Sequence, residues 1–444
     1  MPDYFSPGIY VEEVPSGARP IGPVGTSTAA FVGIAPDRSA HVNRAIPVNN
    51  WSEFLRLYAS GDHPRGTALS QAVYGYMDNG GRRCWVVNVG EDGQVTGTGT
   101  GRAGLELLEP IDEISIVAAP GFSDPVSHEA LLALAEKTRT MVAICDPPLK
   151  VNDISALTRV GTASSTPATR PAGTKPPGDA GSRPDPDPTD SEGSPSRAPA
   201  SRSSAVTSGS AGDGEEETVA EPAAYRPRQS DFGTFYFPWL LVRDPIGGKL
   251  VYVPPSGHVA GIWARTDAQR GVHKAPANEP VRGAVDLAHR VTRSEQDVLN
   301  PKGVDVIRFF PDEGIRVWGA RTLAAEASEF RYLNVRRLTI EIEQSIARGT
   351  RWMVFEPNDS TLWRSIRRDI GAFLTRVWRD GALLGRTPEE AFFVKCDEET
   401  NPADVRDAGM VVALIGIAVV KPAEFVVFKL SQWPGGTETE TTGG

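Results

Sequence analysis

Apolar and polar positions change period along this chain, and the changes mark its elements. Near the start, SPGIYVEEV alternates. Ile9 and Val11, with Glu13, face one way and Tyr10, Glu12 and Val14 the other. Bounded by Pro7-Gly8 and by Pro15-Ser16-Gly17, this run predicts a strand. Beyond it, ARPIGPVGTS has the Pro/Gly spacing of a bending linker. A single strand on a linker is not stable alone and must pair with something. From Ser27 onward strand and helix patterns alternate. TAAFVGIAP, RCWVVNV, ISIVAAPG and TMVAICDPP read as strands. NNWSEFLRLYA reads as a helix with Asn50 and Glu53 at capping-box spacing. ALSQAVYGYMDNGG puts Leu69, Val73, Tyr76 and Met77 on one helical face and stops at Gly80-Gly81. SHEALLALAEKT reads as a helix capped by Ser127. Such alternation predicts a sheet covered by helices.

The pattern collapses between about 151 and 229. There the chain is Ser, Pro, Ala, Gly, Thr, Asp and Arg with Tyr225 its one aromatic residue, a composition too poor in apolar surface to offset ordering entropy. A disordered insertion is expected, because strands and short helices resume at FGTFYFPWLLVRDP and run through VDVIRFF and GIRVWGARTL. A C-terminal block, 317–432, then carries two strongly amphipathic runs. In the first, Val335, Leu338, Ile342 and Ile346 form the buried stripe, with Arg336, Arg337, Glu341 and Glu343 off it. In the second, Trp363, Ile366, Ile370, Phe373, Leu374 and Val377 share one face. Arg364, Arg368, Thr375 and Arg379 share the other, flanked by Arg367 and Arg376. MVVALIGIAVV follows as a buried strand or strand pair, then AEFVVFKLSQ as a last strand, and a polar tail, 433–444.

Composition narrows the function. The 444 residues suffice for two or three domains, and a net charge of −10 excludes non-specific nucleic-acid binding. Cys84, Cys145 and Cys396 lie far apart in apolar runs, so neither a disulfide framework nor a zinc site is indicated and a reducing compartment is expected. The acidic start has no signal-peptide core, and the longest apolar run is about half a membrane span. Candidate chemistry is thin. Gly99 to Gly104 matches GxGxxG, but a polar stretch separates it from the preceding strand, which a dinucleotide turn does not allow. Asp146 follows a strand, where α/β enzymes hold catalytic groups, yet no second titratable group is tied to it by spacing. His258 is the one histidine in an ordered-looking corner. HExxH, GxSxG and Walker A patterns are absent. The basic stripe Arg364, Arg368 and Arg379 on an acidic chain suits an acidic partner or a solvated face.

Several motifs, taken in order, resemble the sheath proteins of contractile phage tails and contractile injection systems. They are SPGIYVEEVPSG, FPWL (237–240), VPPSGHVAGIWARTD, RGVHKAPAN, VDVIRFF, GIRVWGARTL, YLNVRRLTIEIEQSI, WMVFEPN, EAFFVKCDEETN and PAEFVVFKLSQ. The likeness is diffuse before 150 and dense from 232 to 432. It implies an α/β (α+β) sheath fold with an inner domain built from both chain ends, 1–24 and 315–432. An outer α/β domain, 25–314, is inserted between them and carries the loop 151–229. It implies a structural subunit, not an enzyme, without cofactor or metal. The subunit would polymerise as stacked, hexameric rings around an inner tube and contract, with baseplate and terminal cap proteins as further partners and neither nucleic acid nor membrane insertion. Synthesis in the bacterial cytoplasm and assembly into a contractile particle go with it. Strand exchange between subunits would use Gly8, Ile9, Tyr10, Val11, Glu12, Glu13 and Val14 at one end. At the other it would use Glu424, Phe425, Val426, Val427, Phe428, Lys429 and Leu430. Arg364, Arg368 and Arg379 are the candidates for facing the tube. A static shell protein and, more remotely, an α/β enzyme are the alternatives.

Overall fold

The computed structural model describes residues 20–61, 64–91, 93–97, 101–162 and 223–427. The arm residues 8–14, the tail from 428 and the insertion's interior, 163–222, lie outside them. In chain order the elements begin β1 (Ala29–Gly33), β2 (Ala45–Val48), α1 (Trp51–Tyr58), α2 (Ala68–Asp78), β3 (Cys84–Asn88), β4 (Ile116–Ala118), α3 (Pro125–Thr138) and β5 (Val142–Cys145). After the insertion come β6 (Gly233–Phe237), β7 (Leu240–Arg243), β8 (Leu250–Val253), α4 (Ser256–Arg270), β9 (Glu279–Pro280), β10 (Ala284–Leu287), α5 (Arg293–Leu299), β11 (Val304–Phe310) and β12 (Gly314–Val317). The chain ends in α6 (Leu333–Gly349), α7 (Ser360–Arg379), α8 (Pro388–Ala391), β13 (Phe392–Lys395), α9 (Ala403–Asp407) and β14 (Leu414–Ile417).

A nine-stranded sheet, ordered β2-β3-β1-β4-β5-β6-β11-β12-β9, forms the body. Its six middle strands, β3 to β11, run parallel; β2, β12 and β9 are antiparallel additions at the two sides. Every residue of β1, β5 and β6 is buried, as expected for strands covered on both faces. Helices α2 and α4 cross closely because Gly75, Gly257 and Gly261 leave no Cβ between the backbones; one at Gly257 would strike Ala72 and one at Gly75 the His258 ring. An antiparallel sheet β10-β7-β8 and a separate hairpin, β13-β14, complete the strands.

Two hydrophobic cores result. The large one surrounds the nine-stranded sheet and includes Ile315, Val317, Leu323, Leu333 and Ile340. The small one collects Leu338 and Ile342 of α6, Trp363, Ile366, Ile370 and Phe373 of α7, and, from far away in sequence, Ile21. Helix α6 therefore belongs to both. The division expected at 314/315 falls inside the β11–β12 hairpin; the cores part within α6 instead.

Local chemistry departs from the sequence reading at several places. Asn50 caps α1 by accepting from the Glu53 N–H at 2.9 Å, but the Glu53 carboxylate returns to Asn49 N–H, one residue outside the box. Asp124, not Ser127, caps α3, with Pro125 in the first turn and Ser127 N–H bound to the Asp124 carboxylate. The ends of the expected insertion are built into the fold. Residues 154–157 form a 3₁₀ turn, Leu157 is fully buried and Val160 bridges Arg226.

Candidate assembly interface

The hairpin β13–β14 is the least finished part of the described structure. Ala418 donates its N–H to the Ala391 carbonyl at 2.9 Å and accepts from Leu384 N–H at 2.7 Å, while Val420 N–H binds the Ala382 carbonyl at 3.2 Å. Even-numbered groups of this strand thus face β13 and the segment 382–384. By the alternation of an antiparallel ladder, the N–H and C=O groups of Ile415, Ile417 and Val419 point to the opposite edge, where no strand lies among the described residues. The other edge is partly closed, since Arg367 donates to the Cys396 carbonyl. The run MVVALIGIAVV is not buried as expected: Met410 is 52 % exposed, Val412 42 % and Leu414 53 %. Phe393 is 54 % exposed, and its ring lies where a side chain at Gly416 would be. An apolar strand with one open edge is a template for β-augmentation.

Both chain ends leave the fold near firm anchors. At the C-terminal side, Arg321, 3 % exposed, grips the Glu424 carboxylate with Nε at 2.9 Å and Nη2 at 2.6 Å. Asn300 donates to the same carboxylate at 2.8 Å and Tyr332 OH at 3.3 Å. Burial pushes this carboxyl's pKa up, but Arg321, Asn300 and Tyr332 together outweigh it and hold it below the ordinary glutamate range. Glu424, expected in an exchanged strand, is therefore bound within its own chain. Phe425, Val426 and Val427 beyond it are 73 %, 69 % and 78 % exposed. Phe428, Lys429 and Leu430 fall outside the described residues, as do Gly8 to Val14.

At the N-terminal side, residues 20–26 are no flexible linker. Ile21 is 1 % exposed in the small core, its carbonyl accepts from Arg376, and Val24 N–H donates to Ser345 Oγ at 3.0 Å. Thr26 donates to Asp267 Oδ2 at 2.8 Å and accepts from Arg337 at its carbonyl at 3.0 Å. Arg337 and Asp267 form a bidentate pair, 2.9 and 2.6 Å, with side chains 3 % and 7 % exposed and the guanidinium 4.8 Å from the Trp263 ring centroid. One turn along α6, burial pushes the Glu341 carboxyl up to about 7, helped by the Asp267 charge and relieved by Arg337. A cleft of about 480 Å³ opens beside this seam, walled by Pro23, Val272, Glu341, Phe373 and Asp380.

Arg336 and Arg337 were expected off the buried stripe of α6. Both are buried. Arg336 lies 3.9 Å from the Phe232 ring centroid and 4.5 Å from that of Phe330, with Asp231 at 3.5 Å. A guanidinium between two aromatic faces gains cation–π attraction, which a hydrophobic-stripe reading does not detect. The one hint in sequence is two adjacent arginines beside an apolar face, Val335-Arg336-Arg337-Leu338. Arg364, Arg368 and Arg379 lie exposed on α7 opposite its buried stripe. Arg364 bonds back to the Ser360 carbonyl at 3.2 Å and Arg368 to Asp369 at 2.9 Å, whereas half-buried Arg367 and exposed Arg376 reach the Cys396 and Ile21 carbonyls.

The catalytic candidates do not converge. Asp146 is buried and anchors the start of α4, accepting from Ser256 N–H at 3.0 Å and Ser256 Oγ at 2.6 Å. Burial pushes its carboxyl up to about 7 against those bonds. His128 bonds the Asp146 backbone carbonyl, at 3.0 Å, and lies edge-on to the Phe235 ring. His258 is packed against α2, and burial pushes its pKa down to about 4. The GxGxxG stretch lies partly outside the described residues; Gly104 opens a 3₁₀ turn, with its N–H on Asn43 at 3.3 Å. The three cysteines are free and buried, and among the described residues no cluster of His, Cys, Asp and Glu suits a metal ion.

Comparison with known proteins agrees with an assembly role. The phage tail sheath protein central domain matches residues 205–323, and the phage tail sheath C-terminal domain matches 325–432. A tail sheath protein of Vibrio phage KVP40 is 32 % identical over 188 residues, 42 % of this chain and 27 % of that protein. A putative prophage major tail sheath protein of Pseudomonas aeruginosa is 26 % identical over 205 residues, 44 % of this chain and 51 % of that one. The match thus spans about a quarter of the Vibrio phage relative and half of the Pseudomonas one. Solved structures match along nearly the whole length. A chain in the contracted sheath complex of the extracellular contractile injection system PVC aligns with TM-score 0.68 at 25 % identity, covering 98 % of this chain and 99 % of that one. A chain in the contracted helical sheath of the anti-feeding prophage aligns with TM-score 0.67 at 26 % identity, covering 97 % and 100 %. Two adjoining domain matches from one family, an α/β body of matching fold, and an apolar hairpin left with an open edge lead to one conclusion: the chain belongs to the phage tail sheath protein family.

Proposed function

We propose that this chain is the sheath subunit of a contractile tail or injection apparatus. It polymerises as rings around an inner tube and drives the tube by contracting. The observation that carries this reading is the open edge of β14 at Ile415, Ile417 and Val419, together with exposed Phe425 to Val427 on the segment that leaves at Glu424. A neighbour's strand laid on that edge supplies the missing ladder. Each such hydrogen bond is worth about 0.5–1.5 kcal/mol net, and burial of Val and Phe side chains adds about 1.5–3 kcal/mol apiece. Segments 8–14 and 425–430 are the donors, each taking up strand pairing on a neighbour's edge. The head-to-tail pairing they create does not close on itself, so it builds a helical polymer. In this reading the small core with both chain ends forms the inner part, and the nine-stranded sheet with insertion 163–222 forms the outer part. Arg364, Arg368 and Arg379 face an acidic tube, and baseplate and cap proteins complete the particle, which forms in the cytoplasm of the cell that makes it. Contraction releases energy stored at assembly, so the mechanism calls for no catalytic residue and no cofactor.

The test uses the full chain. Electron microscopy of the purified protein shows tubes or stacked rings, and Phe425→Asp with Val427→Asp leaves folded subunits that no longer polymerise. Monodisperse particles across salt and concentration, or unimpaired polymers from the double variant, overturn the reading.

A further inference from the structure

We infer that the Ile21 socket is a positioning site for the N-terminal arm, fixing where residues 1–19 leave the subunit and so which neighbour's edge they reach. The role rests on the strand-exchange reading above. The socket is built from groups distant in sequence. Ile21 fills the small core, Arg376 of α7 donates to its carbonyl, and Ser345 of α6 takes the Val24 N–H. Gly349, the last residue of α6, completes the fit: a Cβ there would stand 2.6 Å from Ile21 Cγ1 and 2.8 Å from Cγ2. The Thr26 contacts to Asp267 and Arg337 hold the other end of the segment.

The consequence is a matter of reach. Were the chain free from Pro15 to Gly25, as its Pro/Gly spacing suggests, Val14 would range about 40 Å from Thr26 at full extension. Pinned at Ile21, Val14 lies at most about 20 Å from Pro20, whatever path the chain takes between them. Halving the tether cuts the volume open to the strand by about eightfold and raises its effective concentration at an edge within range. It also puts edges beyond that range out of reach. The socket therefore acts on partner choice and on assembly, beyond its part in the core.

Gly349→Ala tests this, because alanine suits a helix end at least as well as glycine while its methyl displaces Ile21. The readout is the critical concentration for polymerisation by sedimentation, measured well below each variant's Tm. Ile370→Val, in the same core, serves as the control for lost stability. The expected result is a roughly tenfold rise for Gly349→Ala, above the rise in Ile370→Val at equal Tm loss. Arg376→Ala is expected to move the critical concentration in the same direction and Arg376→Lys to restore part of it; this pair carries the comparison if Gly349→Ala does not fold. A critical concentration that follows Tm alone in all variants overturns the proposal and makes the socket merely structural. Full-length Ile9→Asp with Val11→Asp separates the two levels. If it polymerises like wild type, strand donation by the N-terminal arm fails and the socket's role with it; if it does not, a failure of Gly349→Ala to act counts against the socket alone.

Discussion

The nine-stranded sheet and the β13–β14 hairpin are made from similar sequence and end in opposite states. MVAIC forms the buried β5, held on one side by β4 and on the other by β6. MVVALIGI forms β14 and the approach to it; Asn401 and Asn358 hold the approach at Val412 and Met410, while β14 itself pairs with β13 alone and is apolar toward solvent. Both are short β-branched runs that can bury two faces. The difference is supply. The large sheet finds enough strands among the described residues, and the hairpin finds none there beyond its own two. An apolar strand with an open edge is a liability unless something covers it, which is why the proposed function lays a neighbour's strand there.

The sharpest way to break the comparison is one proline in each strand. Ile144→Pro removes a donor from a strand paired on both sides and is expected to abolish folding, read by circular dichroism. Ile417→Pro removes only an outward N–H, so the subunit keeps its fold while polymerisation weakens by about tenfold, the loss of one ladder bond. If Ile417→Pro polymerises normally, that edge is not the receiving one. Next in size is the seam between the two cores. Arg337→Ala leaves the buried Asp267 carboxylate unpaired and is expected to cost about 3–5 kcal/mol in denaturant unfolding.

Glu341 gives a smaller effect with a defined sign. Its carboxyl is raised to about 7 from the ordinary 4.5, so between those values the folded state holds a proton that the unfolded state has lost. Its stabilising share is whole below pH 4.5 and is lost as pH rises through 7. Glu341→Gln is expected to flatten the fall in stability over this window by about 3 kcal/mol; an unchanged slope means that another group sets it. Smallest of all, charge reversal at Arg364 and Arg379 is expected to change stability by no more than about 0.5 kcal/mol, while co-sedimentation with an acidic tube falls. Unaltered co-sedimentation makes this a solvated face.

Much of the body is legible in the sequence because local periodicity and burial coincide there. The strands at 29–33, 84–88, 116–118 and 142–145 and the helices from 51, 68 and 360 follow from patterns of apolar residues. The candidate site was legible only in outline. The α7 stripe stands out, but Arg336 and Arg337 read as lying off the buried stripe, and nothing in the sequence singles out Arg321. Their partners, Phe232, Asp267 and Glu424, lie about a hundred, seventy and a hundred residues away, and no local period encodes such a meeting.

By itself the sequence determined most strands and helices of the body, their apolar faces, and that a long Ser/Pro/Gly-rich insertion interrupts it. Those properties depend on residues three or four positions apart, or two in a strand. Only the tertiary structure decided that Ile21 is a core residue rather than part of a linker, that Glu424 is tethered before the last segment leaves, and that β14 keeps one edge open among the described residues. Each of these depends on what lies across a gap in space. That is set by how two cores share helix α6.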